Sequence, residues 1–370
     1  MILEKVHGRF GFGLMRLPMI DKEHVDLEQV KSMADLFIKE GFNYFDTAHG
    51  YIGGLSEKAF KECVAQRYKR EEYILTNKLS GSFFKTNEDI RPLFMDQLKQ
   101  CGVEYFDYYL MHAQSREAFK HFKECHAYEE ALKLKEEGLI KHLGISFHDT
   151  VDVLEQILNE YPQIEIVQIQ FNYLDMESEV IQSRKLYELL ESRYIPVIVM
   201  EPIKGGTLAN VSDSVKNKFK KLSDSSPASY ALRFVLSFSN VKMVLSGMSN
   251  IEQMMDNLKT TKIEEPLSDK EFKVIEEVKD MILSEKTIPC TACEYCVAGC
   301  PMHIKIPELF KLMNRLNRGE WYHAWDDYRE LTKEEGKAST CIKCGKCENI
   351  CPQHLKIRDL LEMVKGAFER

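Results

Sequence analysis

The chain has 370 residues, of which 44% are hydrophobic and 29% are charged, a composition typical of a packed globular protein rather than a disordered or fibrous one. Its 50 Lys and Arg residues against 58 Asp and Glu residues give a formal net charge of −8, which disfavours binding to nucleic acids or anionic lipid. The sequence contains no apolar run of the ~20 residues that cross a membrane and no signal-peptide pattern at its start, so we expect a cytoplasmic protein that binds neither membrane nor nucleic acid.

Residues 1–284 alternate short apolar runs with longer amphipathic stretches, a pattern typical of βα units around a parallel sheet. Eight such units favour a closed (β/α)8 TIM barrel over an open doubly wound sheet, because these barrels typically have about 250 residues. The eight predicted strands are Arg9–Met15, Asn43–Thr47, Tyr73–Asn77, Asp107–Met111, Lys141–Ser146, Ile166–Gln170, Ile195–Met200 and Lys242–Ser246.

Apolar residues that recur every three or four positions predict helices between these strands. The predicted helices are Leu27–Glu40, Asn87–Cys101, Ser115–Glu137, Ser178–Ser192, Ser226–Phe238 and Leu267–Glu285. Ser178 and Ser226 are candidate N-caps, the latter with Pro227 at the first helical position. A Rossmann fold is disfavoured because Gly11-Phe12-Gly13 lacks the third glycine of the dinucleotide fingerprint.

The composition changes abruptly after Pro289, where eight of the eleven cysteines are crowded between Cys290 and Cys351. In a reducing cytosol such a crowd favours metal binding over disulfides. We therefore predict two domains, the barrel over residues 1–284 and a small, mainly helical domain over residues 285–370, ending in a helix near Ile357–Phe368.

The cysteines form two identical runs, Cys-x2-Cys-x2-Cys-x3-Cys-Pro, which begin at Cys290 and at Cys341. This spacing resembles that of two-cluster bacterial ferredoxins, in which the fourth cysteine of each run ligates the other [4Fe-4S] cluster. The resemblance implies two clusters, one held by Cys290, Cys293, Cys296 and Cys351 and the other by Cys341, Cys344, Cys347 and Cys300. A pair of zinc sites is the alternative, since Cys-x2-Cys pairs also suit tetrahedral zinc.

Three barrel segments carry a second resemblance: Phe45-Asp46-Thr47-Ala48-His49-Gly50-Tyr51, Leu75-Thr76-Asn77-Lys78-Leu79 and Asp107-Tyr108-Tyr109-Leu110-Met111-His112. They are similar to motifs of the aldo-keto reductases, TIM barrels that use a nicotinamide cofactor, and the likeness extends over residues 1–280. It implies a catalytic tetrad of Asp46, Tyr51, Lys78 and His112 and a small-molecule carbonyl or alcohol as substrate.

The chemistry of these residues fits their positions, because each falls at the carboxyl end of a predicted strand, where barrel active sites are built. A tyrosine with its usual pKa near ~10 is a poor acid at neutral pH. A buried Lys78 ammonium beside Tyr51 favours the phenolate, and Asp46 keeps Lys78 charged and oriented. His112 is expected to hydrogen-bond the substrate oxygen.

The same resemblance implies NADP(H) or NAD(H) as cofactor. Ser146 and Gln170 are candidates for the nicotinamide carboxamide, with Phe147 in place of the usual asparagine, and Met200 stands where many members stack an aromatic ring. The phosphate and adenine loop is expected at Gly247, Ser249, Gln253 and Asn257, where no Lys or Arg marks a preference for NADPH. Lys204-Gly205-Gly206 is a further phosphate candidate, whose alternative is an ordinary glycine-rich loop.

Together the two parts predict an oxidoreductase that interconverts a carbonyl and an alcohol and uses two [4Fe-4S] clusters for electron transfer. Hydride carries two electrons and a cluster moves one, so coupling requires a flavin, a radical-tolerant substrate or an external ferredoxin or flavoprotein. The alternatives are a reductase with structural or regulatory clusters and a redox-sensing module that only binds nucleotide.

Overall fold

The computed structural model describes residues 2–263, 265–285, 287–317 and 323–369. Eight parallel strands form a closed barrel in chain order, in which β1 also pairs with β8. The eight predicted strands and the TIM-barrel fold are therefore confirmed. The strands are β1 Phe10–Gly13, β2 Tyr44–Asp46, β3 Ile74–Leu79, β4 Phe106–Gln114, β5 Ile140–Phe147, β6 Ile166–Gln170, β7 Val197–Met200 and β8 Val241–Gly247.

Helices follow each strand and make up most of the C-terminal region. In the described part of the chain they are α1 Leu27–Lys39, α2 Leu55–Phe60, α3 Asn87–Cys101, α4 Arg116–Glu124, α5 Ala127–Glu136, α6 Val151–Glu160, α7 Ser183–Ser192, α8 Asp213–Lys220, α9 Pro227–Leu236, α10 Ile251–Ile263, α11 Asp269–Ser284, α12 Tyr295–Ala298, α13 Ile306–Asn317, α14 Ala324–Leu331, α15 Lys346–Asn349 and α16 Ile357–Phe368. No helix among the described residues is long and apolar enough to cross a membrane.

Two helix predictions need correction. The stretch Ser115–Glu137 forms two helices, α4 and α5, because His126 adopts a left-handed conformation with φ of 53° between them. Helix α7 begins at Ser183 rather than after Ser178, whose Oγ accepts hydrogen bonds from the amides of Val180 and Ile181 and so closes a turn. Pro227 is the first residue of α9, as predicted.

Contacts divide the chain into two compact units. The barrel unit comprises Met1–Pro202 and Ala228–Leu267, and the cysteine-rich unit comprises Ile203–Pro227 and Ser268–Arg370. This division differs from the predicted one at residue 284, because α8 and α11 pack together, with Lys218 of α8 donating to Glu277 of α11.

The amino end of the barrel is filled by apolar side chains. Tyr44, Tyr108 and Met243 lie fully buried there, and Ile2, Leu3 and Val6 pack against them from below. Hydrophobic packing therefore closes this end, and the polar side chains that could do chemistry gather where the strands end.

The cysteine-rich unit has its own core, built from α13, α14 and α16. Phe310, Leu361 and Val364 are buried in it, and the Tyr328 and Phe368 rings stack with their centroids 4.9 Å apart. So small a core gives limited stability by itself, and bound metal groups would add to it.

A glycine in the barrel wall gives a test of this packing. A Cβ on Gly144 of β5 would lie 2.5 Å from the carbonyl oxygen of Ile166 in the neighbouring β6. We expect Gly144→Ala to lower the free energy of unfolding by about 1–3 kcal/mol or more, because the backbones must separate. Gly13→Ala is the matched control, since its Cβ would meet atoms only at 3.4 Å and beyond. Equal chemical-denaturation midpoints for the two variants would contradict this account.

Candidate active site and cysteine cavities

Three neighbouring strands position the predicted tetrad. Asp46 is the last residue of β2, Lys78 is the penultimate residue of β3, and His112 lies near the end of β4. Tyr51 is in the short 3-10 turn that follows β2. Because β2, β3 and β4 are adjacent and parallel, their carboxyl ends bring all four side chains to the same mouth of the barrel.

Lys78 is the centre of this group. Its Nζ donates to Asp46 Oδ1 at 2.6 Å, to the Thr47 carbonyl oxygen at 2.9 Å and to Tyr51 Oη at 3.1 Å. An ammonium has three hydrogens and no acceptor, so these three bonds use its full capacity. A neutral amine could not donate to all three, and the geometry is therefore that of a charged lysine.

Burial acts on the charges of this pair. The Lys78 side chain is 1% exposed and that of Asp46 is 4% exposed. Burial lowers the pKa of Lys78 and raises the pKa of Asp46, and the attraction between the two groups opposes both shifts. Separating the pair would leave a buried charge without compensation, which typically costs about 3–5 kcal/mol.

Tyr51 receives the effect of this charge directly. Its ring centroid lies 4.7 Å from Lys78 Nζ, and its Oη accepts one of the ammonium hydrogens. A positive donor at a phenol oxygen stabilises the phenolate. The tyrosine hydrogen must therefore be donated in another direction, which is what a general acid requires.

His112 lies beside Tyr51, with ring centroids 5.9 Å apart and planes at 76°. The ladder between β4 and β5 is irregular from Met111 to Gln114, and such bulges often re-aim a side chain beside an active site. Burial lowers the pKa of His112 well below its usual value, and the Lys78 and His148 charges add to the shift. The imidazole is therefore neutral at neutral pH.

Ser80 is a residue that the sequence analysis missed. It follows Lys78 by two positions, so both side chains lie on the same side of the chain, and its Oγ is 2.6 Å from His112 Nδ1. A neutral imidazole has one donor and one acceptor nitrogen. If Ser80 donates to Nδ1, then Nε2 carries the hydrogen that a substrate oxygen would accept.

The predicted nicotinamide residues end β5, β6 and β7 at the same mouth. Ser146 is buried, and its Oγ accepts from the Ala113 amide at 2.8 Å. The Gln170 side chain lies between His148 Nδ1, at 3.2 Å, and the Glu201 carboxylate, to which it donates at 3.1 Å. Met200 is the last residue of β7 and is partly exposed.

The predicted phosphate loop joins β8 to α10. The Gln253 side-chain oxygen accepts from the Ser249 amide at 2.8 Å, and Asn250 Oδ1 accepts from the Gln253 amide at 2.9 Å, which caps α10. Asn257 lies deeper, is 3% exposed, and donates to Ser246 Oγ at 3.0 Å.

Arg16 is a second residue that the sequence analysis missed. Its side-chain carbons lie 3.2 Å from the position that a Cβ on Gly247 would take, and its carbonyl oxygen accepts from Ser249 Oγ. Arg16 comes from the segment after β1, so the spacing within the loop could not reveal it. The aliphatic part of the Arg16 side chain therefore lies against this loop.

The eight cysteines gather around two cavities in the cysteine-rich unit. The first cavity is lined by Cys290, Cys293, Cys296 and Cys351. The second cavity is lined by Cys300, Cys341, Cys344 and Cys347. Each cavity thus combines three cysteines of one run with the last cysteine of the other, the same sets that the sequence analysis expects.

The two cysteine runs also have matching backbones. Left-handed residues recur two, four and thirteen positions after the first cysteine, at Ala292, Glu294 and His303 in one run and at Lys343, Gly345 and His354 in the other. One short helix follows in each, α12 and α15. Within the described ranges, no three His, Cys, Asp or Glu side chains lie close enough together to bind a single metal ion.

Comparisons with known families match both parts of the chain. The family model described as Aldo/keto reductase family matches residues 9–280, and the one described as 4Fe-4S dicluster domain matches residues 289–355.

Individual proteins resemble the barrel part. An uncharacterized oxidoreductase, C215.11c, of Schizosaccharomyces pombe is 27% identical over 286 residues, which cover 74% of this chain and 87% of that protein. The NADH-specific methylglyoxal reductase of Escherichia coli is 25% identical over 283 residues, which cover 65% and 85%. The crystal structure of an aldo-keto reductase from Klebsiella pneumoniae in complex with NADPH superposes with a TM-score of 0.60 at 18% identity, over 73% of this chain and 90% of that one; this likeness concerns the fold alone.

The Ser80–His112 contact predicts a positioning role. We expect Ser80→Ala to lower kcat about 2–10-fold, the usual worth of one hydrogen bond between neutral groups, because the imidazole loses its fixed tautomer. Histidine ¹⁵N shifts should show a mixed tautomer at His112. The exposed neighbour Ser82, changed to alanine, is the control. An unchanged tautomer and unchanged kcat in Ser80→Ala would contradict this role.

The lowered pKa of His112 predicts a pH effect on stability. In the unfolded chain this histidine binds a proton near pH ~6.5, whereas the folded protein keeps it neutral to lower pH. Its contribution to stability is therefore full above pH ~6.5 and is lost as the pH falls. Between the pKa of His112 in the unfolded chain and its lower pKa in the folded protein, each unit by which the pH falls should lower the unfolding free energy of the wild type. This decrease should exceed that of His112→Gln by up to about 1.4 kcal/mol.

Urea denaturation across this pH range measures that difference. The exposed His126, changed to asparagine, is the control, because asparagine tolerates its left-handed backbone. His126→Asn should follow the wild-type curve. Parallel curves for the wild type and His112→Gln would show that His112 does not titrate as stated.

Proposed function

The chain belongs to the aldo/keto reductase family, with a 4Fe-4S dicluster domain after the barrel, and from that premise we propose that it interconverts the carbonyl and alcohol forms of a small molecule. It is an NAD(P)H-dependent oxidoreductase. The observation that carries the proposal is the buried Lys78 ammonium, which binds Asp46 and Tyr51 beside a neutral His112.

In the direction of reduction, the nicotinamide cofactor, when bound, supplies a hydride to the carbonyl carbon. Tyr51 donates its phenolic proton to the carbonyl oxygen, which completes the alcohol. Lys78 stabilises the phenolate that remains, and Asp46 holds the ammonium in place. His112, with its hydrogen on Nε2, donates to the substrate oxygen and fixes its angle.

The cofactor would be held along the mouth of the barrel. Ser146, Gln170 and Met200 would contact the nicotinamide, and Gly247, Ser249, Gln253 and Asn257 would lie along the phosphates and adenine. Arg16, whose side-chain carbons lie against Gly247, would bring a positive charge to a phosphate group. NADP(H) and NAD(H) are both compatible with these residues, since the relatives include an NADH-specific enzyme and a fold neighbour with NADPH bound.

The cysteine-rich unit would hold two [4Fe-4S] clusters, which carry single electrons when bound. The two cavities support this, because each is lined by four cysteines, three from one run and the last from the other. Cys296 in the first cavity is buried, whereas Cys344 in the second is exposed. The second cavity is therefore the better place to exchange electrons with an external ferredoxin or flavoprotein.

An anaerobic titration of the oxidised, cluster-loaded protein tests this function. NADPH and then NADH are added while the visible absorbance of the clusters is recorded, and carbonyl reduction is assayed in parallel. We expect turnover with at least one nucleotide. Bleaching of the clusters would mean that electrons pass from the nicotinamide to iron, and would require a carrier that converts hydride into single electrons. Tyr51→Phe should lower kcat by at least about 10²-fold, the usual contribution of a general acid, while Tyr194→Phe, whose residue is 92% exposed, should leave it unchanged.

The outcomes separate the possible functions. Carbonyl reduction with a constant cluster spectrum would mean that the clusters are structural or regulatory. Undiminished turnover by Tyr51→Phe would overturn the tetrad assignment. Nucleotide binding without turnover of any carbonyl or alcohol would favour a redox-sensing module.

A further inference from the structure

The glycine-rich turn Lys204–Gly206 lies in the cysteine-rich unit, although it follows β7 of the barrel in sequence. Lys204, Gly205 and Gly206 all have positive φ angles, of 45°, 62° and 98°. A Cβ on Gly205 would lie 2.5 Å from the carbonyl oxygen of Thr291. The turn is therefore packed directly against the residue that follows Cys290.

The Lys204 side chain reaches the other cysteine run. It is 2% exposed, and its Nζ donates to the side-chain oxygen of Gln353 at 3.0 Å. Gln353 comes two residues after Cys351 and lines the first cavity. The turn thus contacts both of the cysteine segments that line this cavity, which disfavours the phosphate-loop interpretation of its sequence.

The chemistry of lysine settles the orientation of the Gln353 amide. An ammonium only donates hydrogen bonds, so the atom that faces Lys204 is the amide oxygen. The amide nitrogen, with its two hydrogens, is then directed away from Lys204. A glutamine in the wall of a cavity lined by cysteines can present these hydrogens to sulfur.

We propose that Lys204 and Gln353 form a tuning pair that raises the reduction potential of the cluster in the first cavity. Reduction adds one electron, and therefore one negative charge, to the cluster. Net charge, hydrogen bonds to sulfur and solvent exposure set the potential of such clusters. A buried ammonium and an amide donor both favour the more negative, reduced form, because attraction is stronger where water is excluded.

This inference rests on the proposed function in one respect, namely that the first cavity holds a [4Fe-4S] cluster. In this inference Lys204 and Gln353 are positioning residues, since neither is a proposed ligand of the cluster. Neither residue belongs to the proposed tetrad.

The test is an anaerobic potentiometric titration with dithionite as electron donor, followed by electron paramagnetic resonance. The whole chain is compared with Lys204→Met and Gln353→Met, which keep the length of the side chain but remove the charge or the amide. We expect one of the two cluster potentials to become more negative and the other to stay unchanged. At a fixed potential, the ratio of reduced to oxidised cluster should fall about tenfold, the usual worth of a hydrogen bond to a charged group.

Three further variants sharpen the test. Lys218→Met removes one lysine charge from the same unit, where Lys218 pairs with Glu277, and should shift neither potential. Lys204→Arg keeps the charge and the donors and should remain close to the wild type. The double variant Lys204→Met/Gln353→Met should shift the reduction potential by less than the sum of the two single-variant shifts, because the two residues act through one contact.

The outcomes distinguish this inference from the proposed function. If the wild type binds less iron and sulfide than two [4Fe-4S] clusters contain, the part of the proposed function that assigns two clusters to the cysteine-rich unit fails. If the wild type is fully loaded and loaded Lys204→Met and Gln353→Met keep both potentials, the tuning pair is refuted. If Lys204→Met does not retain its clusters, Gln353→Met decides by the same measurement.

Discussion

The barrel site depends on one interaction, the buried ammonium of Lys78. A charge that is removed from water must be compensated by nearby hydrogen bonds or an opposite charge. Here three acceptors from β2 and the turn after it surround Nζ. The same three bonds hold Tyr51 in place and position its oxygen next to a positive charge. The stability of the fold at this site and the acidity of the Tyr51 phenol thus both depend on the Lys78 ammonium. A change to Asp46 or Lys78 would alter both.

A second polar layer beneath Lys78 supports this arrangement. The carboxylate of Glu57, which is fully buried, accepts from the side-chain amide of Asn77 and lies 2.8 Å from His49 Nδ1. The side-chain amide of Gln97 in turn donates to the Lys78 carbonyl oxygen. Buried polar groups with satisfied partners restrict a site to one geometry. The site therefore keeps its shape through hydrogen bonds below it as well as through the strands that carry it.

The cysteine-rich unit meets a different physical constraint. Its helical core is small, and its two cysteine loops have repeated backbone conformations that face two cavities. Binding of a metal group would therefore contribute to folding as well as to electron transfer. The two cavities differ at one cysteine each, since Cys296 in the first is buried and Cys344 in the second is exposed. The Lys204 turn packs against this unit's first cysteine run and donates to Gln353 beside the second, which is the basis of the tuning that we propose.

The sequence by itself determined the eight strands, their parallel order and the two cysteine runs, because alternation, periodicity and ligand spacing are local properties of the chain. It also indicated the tetrad, since each member lies at or just after the carboxyl end of a predicted strand. The break at His126 could not be predicted, because one residue with positive φ interrupts an otherwise continuous helical pattern. Only the tertiary structure placed Ser80 against His112, Arg16 beside the loop of Ser249, and Lys204 against Gln353, which are 32, 233 and 149 positions apart. These contacts form when the barrel closes and the cysteine-rich unit packs, and no short-range pattern records them.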